Sequence, residues 1–243
     1  MQTKNYLIII LSLLFLSCGD NDIQLSENIL DEYLEIHADK TLDEVIACAG
    51  STQENSSNVN VYYYPIIGSS DIRYFETEST DVDPNDFSNY TLKELPSTSI
   101  LGGKLALFLR TETHESWGIV TYLSEGKIHK SNPIRFKQNT IPTEYSSAIT
   151  IDETEPNTPK FSWLASTTNE DAIYFQALVE NEGDFISGTY TTELCFKHND
   201  NSNVILNINT KEPELLEVSK TYTMNIMGVS IDNWVNLHLI KSF

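Results

Sequence analysis

Hydrophobic positions follow three kinds of spacing along the chain. Residues 6–16 form an apolar run after Lys4, interrupted only by Ser12. As a helix, eleven residues rise roughly 16 Å, about half of a bilayer's hydrocarbon core. That predicts a secretory signal over 1–17, not a spanning helix. The spacing then turns helical. Ile29, Leu30, Tyr33, Leu34 and His37 fall on one stripe and predict a helix over 26–37. Thr41-Leu42-Asp43-Glu44 has the form of a capping box, with Gly50 in the C′ place. It predicts a second short helix whose Leu42, Val45, Ile46 and Ala49 face a core. Residues 51–58 are polar and read as a loop.

From Val59 the pattern is that of strands. A first set covers 59–64, 72–75, 104–110, 117–123 and 128–137. Its turns lie at Gly68-Ser69-Ser70, Leu101-Gly102-Gly103 and Ser124-Glu125-Gly126. Residues 138–144, with Pro142, read as a linker. A second set covers 148–151, 160–164, 172–180, 188–198, 204–208, 221–229 and 234–243. Seven strands in about 100 residues is the count of a β-sandwich. The predicted fold class is mainly β: tandem β-sandwich domains preceded by one or two short helices. The expected boundaries are a signal over 1–17, a tether over 18–25, and a short helical region and loop over 26–58. A first sandwich-like domain follows over 59–138 and a second over 146–243.

Two stretches resemble known families. Phe15-Leu16-Ser17-Cys18 resembles a bacterial lipobox, although Phe15 stands where leucine is usual. The resemblance implies cleavage before Cys18 and lipidation of that residue, which attaches the chain to a membrane through acyl chains worth about 0.8 kcal/mol per buried CH₂. Gly19-Asp20-Asn21-Asp22 resembles the export signal of surface lipoproteins of Bacteroidetes-type bacteria, which implies the outer membrane and its outer face. The same acids also suit a merely solvated tether.

In the second set, Pro159-Lys160-Phe161-Ser162-Trp163 resembles the second strand of a fibronectin type III domain, with Trp163 as the core tryptophan. Leu216 and Tyr222 have the spacing of that family's tyrosine corner, although the proline and glycine common between them are missing. The resemblance covers 146–243 and implies an immunoglobulin-like sandwich. In the first set, 130–136 resembles the last strand of the same family. Such folds host many functions, so role must be argued from sites.

Charge narrows the partners. The 243 residues carry a formal net charge of −20, with 15 Lys and Arg against 35 Asp and Glu. Nucleic acid is disfavoured as a ligand, because phosphate contacts need basic patches. Direct binding to an anionic membrane is disfavoured for the same reason. The expected partners are a membrane through the lipid, and a glycan or protein ligand. With Cys18 lipidated, Cys48 and Cys195 remain. They either pair as a disulfide or stand as two small buried residues.

Candidate chemistry is sparse. The chain has no nucleophile elbow, phosphate loop or zinc-helix motif. His37, His114, His129 and His198 stand singly, and no cofactor or metal is expected. Asp81-Val82-Asp83-Pro84-Asn85-Asp86 has oxygen ligands at alternate positions. Asp86, however, stands where a calcium loop needs glycine, and Leu92 where it needs a bidentate Glu. A solvated loop is the better reading. A carboxylate pair in a hydrolase is a third-ranked reading.

The period-two pattern of the last strands suggests one further face. Trp234, Asn236 and His238 would point away from Val235, Leu237 and Leu239. Asn225 on the preceding strand, and Tyr174 and Gln176 on a third, would join them. An aromatic among amides and an imidazole suits a sugar, and it equally suits packing on the first domain. The expected role is binding or adhesion at the cell surface, with a structural subunit of an outer-membrane complex as the alternative.

Overall fold

The computed structural model describes residues 25–180 and 183–243. Cys18, the signal over 1–17 and all of the tether except Leu25 lie outside the described residues. Of the two expected helices only the first forms, as α1 (Leu30–Ile36). Asp31 and Glu32 in its first turn suit the positive end of the helix dipole. Its buried Leu30 and Tyr33 pack on Phe75, Ile119 and Tyr90 of the first sandwich.

The second expected helix is corrected. Residues 41–51 are two strands, β1 (Thr41–Val45) and β2 (Ala47–Ser51). They lie in opposite sheets, so the chain crosses the sandwich at Ile46. The capping-box sequence is overridden by sheet pairing, which satisfies the same backbone groups over longer range. Leu42, expected in the core, is 55% exposed. Gly50 ends no helix. A Cβ there would lie 2.8 Å from Thr143 Oγ1 and 3.0 Å from Val235 Cβ, so glycine permits the two modules to approach. The region 26–58 is therefore helical only over α1, and its second half belongs to the first sandwich.

The remaining strands of the first module are β3 (Val59–Tyr63), β4 (Ser70–Glu76), β5 (Thr91–Lys93), β6 (Ser97–Ile100), β7 (Leu105–Arg110), β8 (Trp117–Ser124), β9 (Lys127–Ser131) and β10 (Ile134–Arg135). One sheet has the order β1-β9-β8-β4-β5, with β10 beside β8, and the other β2-β3-β7-β6. The short strands β5 and β6 carry no clear alternation, and the sequence pattern misses them. Glu125 (φ 52°) and Gly126 (φ 74°) form the tight turn between β8 and β9. The expected strand 128–137 breaks at Asn132-Pro133, where proline has no N–H to give a ladder.

The second module contains β11 (Glu144–Ser146), β12 (Thr150–Asp152), β13 (Lys160–Ser162), β14 (Asp171–Glu180), β15 (Asp184–Thr191), β16 (Cys195–Lys197), β17 (Leu206–Asn207), β18 (Tyr222–Ser230) and β19 (Val235–Ser242). Sheet β12-β13-β16 faces sheet β11-β19-β18-β14-β15-β17. The tyrosine corner is present: the backbone N–H of Glu217 donates to Tyr222 Oη at 2.9 Å, and Leu216 is buried beside it. Trp163 is buried against Tyr174, with ring centroids 5.5 Å apart. Both modules begin alike. A first strand (β1, β11) runs parallel to a strand near the module's end (β9, β19), and the next (β2, β12) lies in the facing sheet.

The two sandwiches are stacked face to face. The outer side of β2-β3-β7-β6 carries Ile46, Cys48, Tyr62 and Leu107, and packs on Phe175, Ala177, Tyr190, Met227 and Val229 of the second module. Four sheets thus enclose three apolar layers, the middle one being the seam between modules. Strands buried on both faces lose simple alternation, which is why β14 has six successive buried residues from Tyr174 to Val179. Trp234 locks the stack. It belongs to the second module but is fully buried in the first module's core. Its Nε1–H donates to the Ile141 carbonyl at 2.7 Å, and the Ala49 N–H donates to the Asn233 carbonyl at 3.0 Å.

Candidate functional site

The open face expected on the last strands does not exist. Its six residues are dispersed by burial and by strand parity. Trp234 fills the first module's core, as described. Tyr174 points into the second sandwich, and its hydroxyl donates to Asp171 Oδ2 at 3.2 Å. Gln176, on the same side of β14, is buried; it donates to the Tyr174 carbonyl at 2.7 Å and accepts from Thr189 Oγ1 at 3.1 Å. Asn236 is the extra residue of a bulge between β18 and β19, and donates to Asp171 Oδ1 at 3.1 Å. Asn225 and His238 lie across from Ala177 and Met227, on the seam side of the sheet. His238 is buried against Tyr145, with centroids 5.3 Å apart. These residues serve packing, and they form no open face for a sugar.

The cysteine pair is also corrected. Cys48 and Cys195 are both free. Cys48 packs in the seam, where burial pushes its thiol up to about 12. Cys195 lies on β16 in the second module's outer sheet. The two are held in different layers, and that rules out bond-forming geometry.

Other sequence-level candidates are committed to structure. In the acidic loop, Asp83 Oδ1 accepts from the Asn85 N–H at 2.9 Å and Asp86 Oδ1 from the Ser88 N–H at 3.2 Å. Hydrogen bonds from Ser88 hold the Asp86 carboxyl below the usual range. No cluster of three or more His, Cys, Asp or Glu side chains that could hold a metal occurs among the described residues. Glu76 is buried and saturated: it accepts from Arg110 Nε at 2.9 Å, Tyr74 Oη at 2.6 Å and Ser116 Oγ at 2.7 Å. Burial would raise its carboxyl, but Arg110 outweighs that and holds it low. His37 Nδ1 and His198 Nε2 donate to the backbone carbonyls of Tyr33 and Glu214, at 2.9 and 2.8 Å. His114 sits on a surface loop 3.5 Å from Glu76, and His129 stacks on Tyr122.

What the fold builds instead is a pair of openings along the seam. The first is a cleft of about 220 Å³. Its walls are Cys48, Tyr62, Phe175, Tyr190 and Met227, with Glu44, Asn132 and Asn233 around it. Leu206 of β17, 43% exposed, lies at its edge. Tyr62 is fixed by Asn60, whose Nδ2 donates to its hydroxyl at 3.1 Å. The second opening, of about 340 Å³, lies between the β3–β4 loop, the turn before β7 and Thr210. Both combine apolar walls with a few polar groups, the usual composition of a small-ligand site. Neither is visible in the sequence, because each is lined by residues from both modules. The one available signal was the run of aromatics Tyr62-Tyr63-Tyr64, whose alternate members face two different layers.

The strand orders, the tyrosine corner and the buried Trp163 define the class: a tandem β-sandwich protein with immunoglobulin- and fibronectin type III-like modules. No family model matches the chain, and no curated protein sequence matches it significantly. Among solved structures, the crystal structure of chicken CNTN1 FN1-FN3 domains is similar over 84% of this chain and 67% of its own, at 9% identity and a TM-score of 0.30. A likeness that distant carries no argument about ligand or partner.

Proposed function

We propose that the protein is a lipid-anchored lipoprotein of the outer membrane that acts by binding, at the cell surface, a glycan or a protein partner. The observation that carries the binding role is the seam. Two modules fused face to face leave ligand-sized openings whose aromatic walls are set by packing and need no ordering on binding. Support for the anchor is the 15–18 sequence and the acidic stretch after it. The structural-subunit alternative draws on the same stacking, which makes a stiff spacer of the two modules.

The test uses the 19–243 fragment on a glycan array and in pull-downs with outer-membrane proteins. Wild type is expected to bind, and Leu206→Trp, which fills the first cleft from an exposed position, to bind at least tenfold more weakly with unchanged thermal stability. Absence of any glycan or protein ligand would sink the binding role. The anchor is tested separately in the full chain: Cys18→Ser should abolish labelling by a fatty-acid probe, and normal labelling would overturn lipidation at that residue.

A further inference from the structure

We infer that the second seam opening is a subsite for a carboxylated sugar, with Lys104 as the carboxylate's partner. The inference rests on the binding role proposed above and names a ligand class for it. Its starting point is an unused cation. In a chain with 35 acids against 15 bases, almost every basic side chain finds a partner. Among the described residues, ten lysines and arginines are in ion pairs. Lys130 and Lys241 donate to the Ser131 and Ile149 carbonyls instead, at 3.1 and 2.6 Å. Lys160 is exposed and stands across from Asp152 in the sheet. Lys104 is half-buried, and its ammonium donates to no oxygen among the described residues.

Its position is fixed by aromatic rings from both modules. Nζ lies 5.4 Å from the centroid of Tyr64 and 5.3 Å from that of Phe185. Cation–π contact holds the charge without consuming its three N–H donors. The surrounding surface is amphipathic. Pro65 and Ile67, the latter 90% exposed, offer apolar area, while the Ser69 and Thr210 side chains bring hydroxyls. Gly102 (φ 62°) and Gly103 (φ 82°) form the turn that brings Lys104 up to the second module; a Cβ on Gly102 would lie 3.0 Å from the Gly183 carbonyl oxygen.

The ligand chemistry follows from these groups. An ammonium with free donors takes a carboxylate through charge-assisted hydrogen bonds. An apolar patch beside hydroxyls takes the C–H face and hydroxyls of a pyranose. The net charge of −20 repels anions at long range. That restricts recognition to a short local contact, one or two hexuronate units, and argues against an extended polyanion groove.

The test measures binding of the 19–243 fragment to di- and trigalacturonate by calorimetry, beside their methyl esters and neutral galactose oligomers. Wild type is expected to prefer the free acid. Lys104→Gln should lose roughly ten- to a hundredfold, the loss of one hydrogen bond to a charged group, with an unchanged melting temperature. Lys104→Arg should retain most of the affinity. Equal binding of acid and ester, or an unaffected Lys104→Gln variant, would overturn the subsite. So would absence of oligogalacturonate binding by a fragment that does bind a neutral glycan or a protein, and that result would leave the binding role standing. A fragment with no ligand at all would remove both.

Discussion

His238 shows how a residue's meaning depends on its surroundings. In the sequence it alternates with apolar neighbours and reads as an outward, hydrogen-bonding imidazole. In the structure it is 7% exposed, and neither ring nitrogen has a hydrogen-bond partner among the described residues. Burial lowers its protonation to about 4. Its folded value lies below the unfolded one, near 6.5. The unfolded chain therefore binds the extra proton first as pH falls. The stability associated with the neutral ring is present above about pH 6.5 and is lost as pH drops toward 4. His238→Leu is expected to flatten that part of the stability curve and to cost little at pH 7, because it removes two unpaired polar atoms along with the ring. Urea unfolding at pH 4.5, 5.5 and 7 checks this. An unchanged pH slope in the variant would assign the acid sensitivity to other groups.

At the scale of elements, the strongly patterned strands were legible and the weakly patterned ones were not. β8, β14, β18 and β19 were each predicted to within a residue or two of their ends. The tyrosine corner was legible because it depends on two residues at a fixed spacing. The Thr41–Glu44 signal was misleading because a capping box reports a local preference worth about 1 kcal/mol, and two rows of sheet hydrogen bonds exceed it. β14 was located correctly but its faces were exchanged. Tyr174 and Gln176 point into the sandwich, and Phe175 and Ala177 into the seam. A strand apolar on both sides gives period two nothing to choose between, and that ambiguity is what dispersed the expected binding face.

For the whole molecule, the consequence of stacking is shared stability. Trp234 immediately precedes the second module's last strand and fills the first module's core, and the linker carbonyl of Ile141 holds its indole. Trp234→Ala should destabilise by about 3–5 kcal/mol, and both modules should lose it together. Calorimetry of wild type is expected to show one transition, shifted down as a unit in the variant. Two separate transitions, with only one displaced, would mean that the modules are independent. The sequence by itself determined what is carried by composition and local spacing: the apolar segment just before Cys18, a β-rich chain in two sets of strands, the acidic charge, and the Leu216–Tyr222 corner. The tertiary structure alone decided which faces are open. The seam is built from residues more than 100 positions apart, such as Cys48 and Tyr190. The side chains at its centre have an apolar or amphipathic character that a core, an interface or a ligand site would satisfy equally well. Only the approach of the two sheets selects among them, burying Trp234 and leaving Lys104 at an opening.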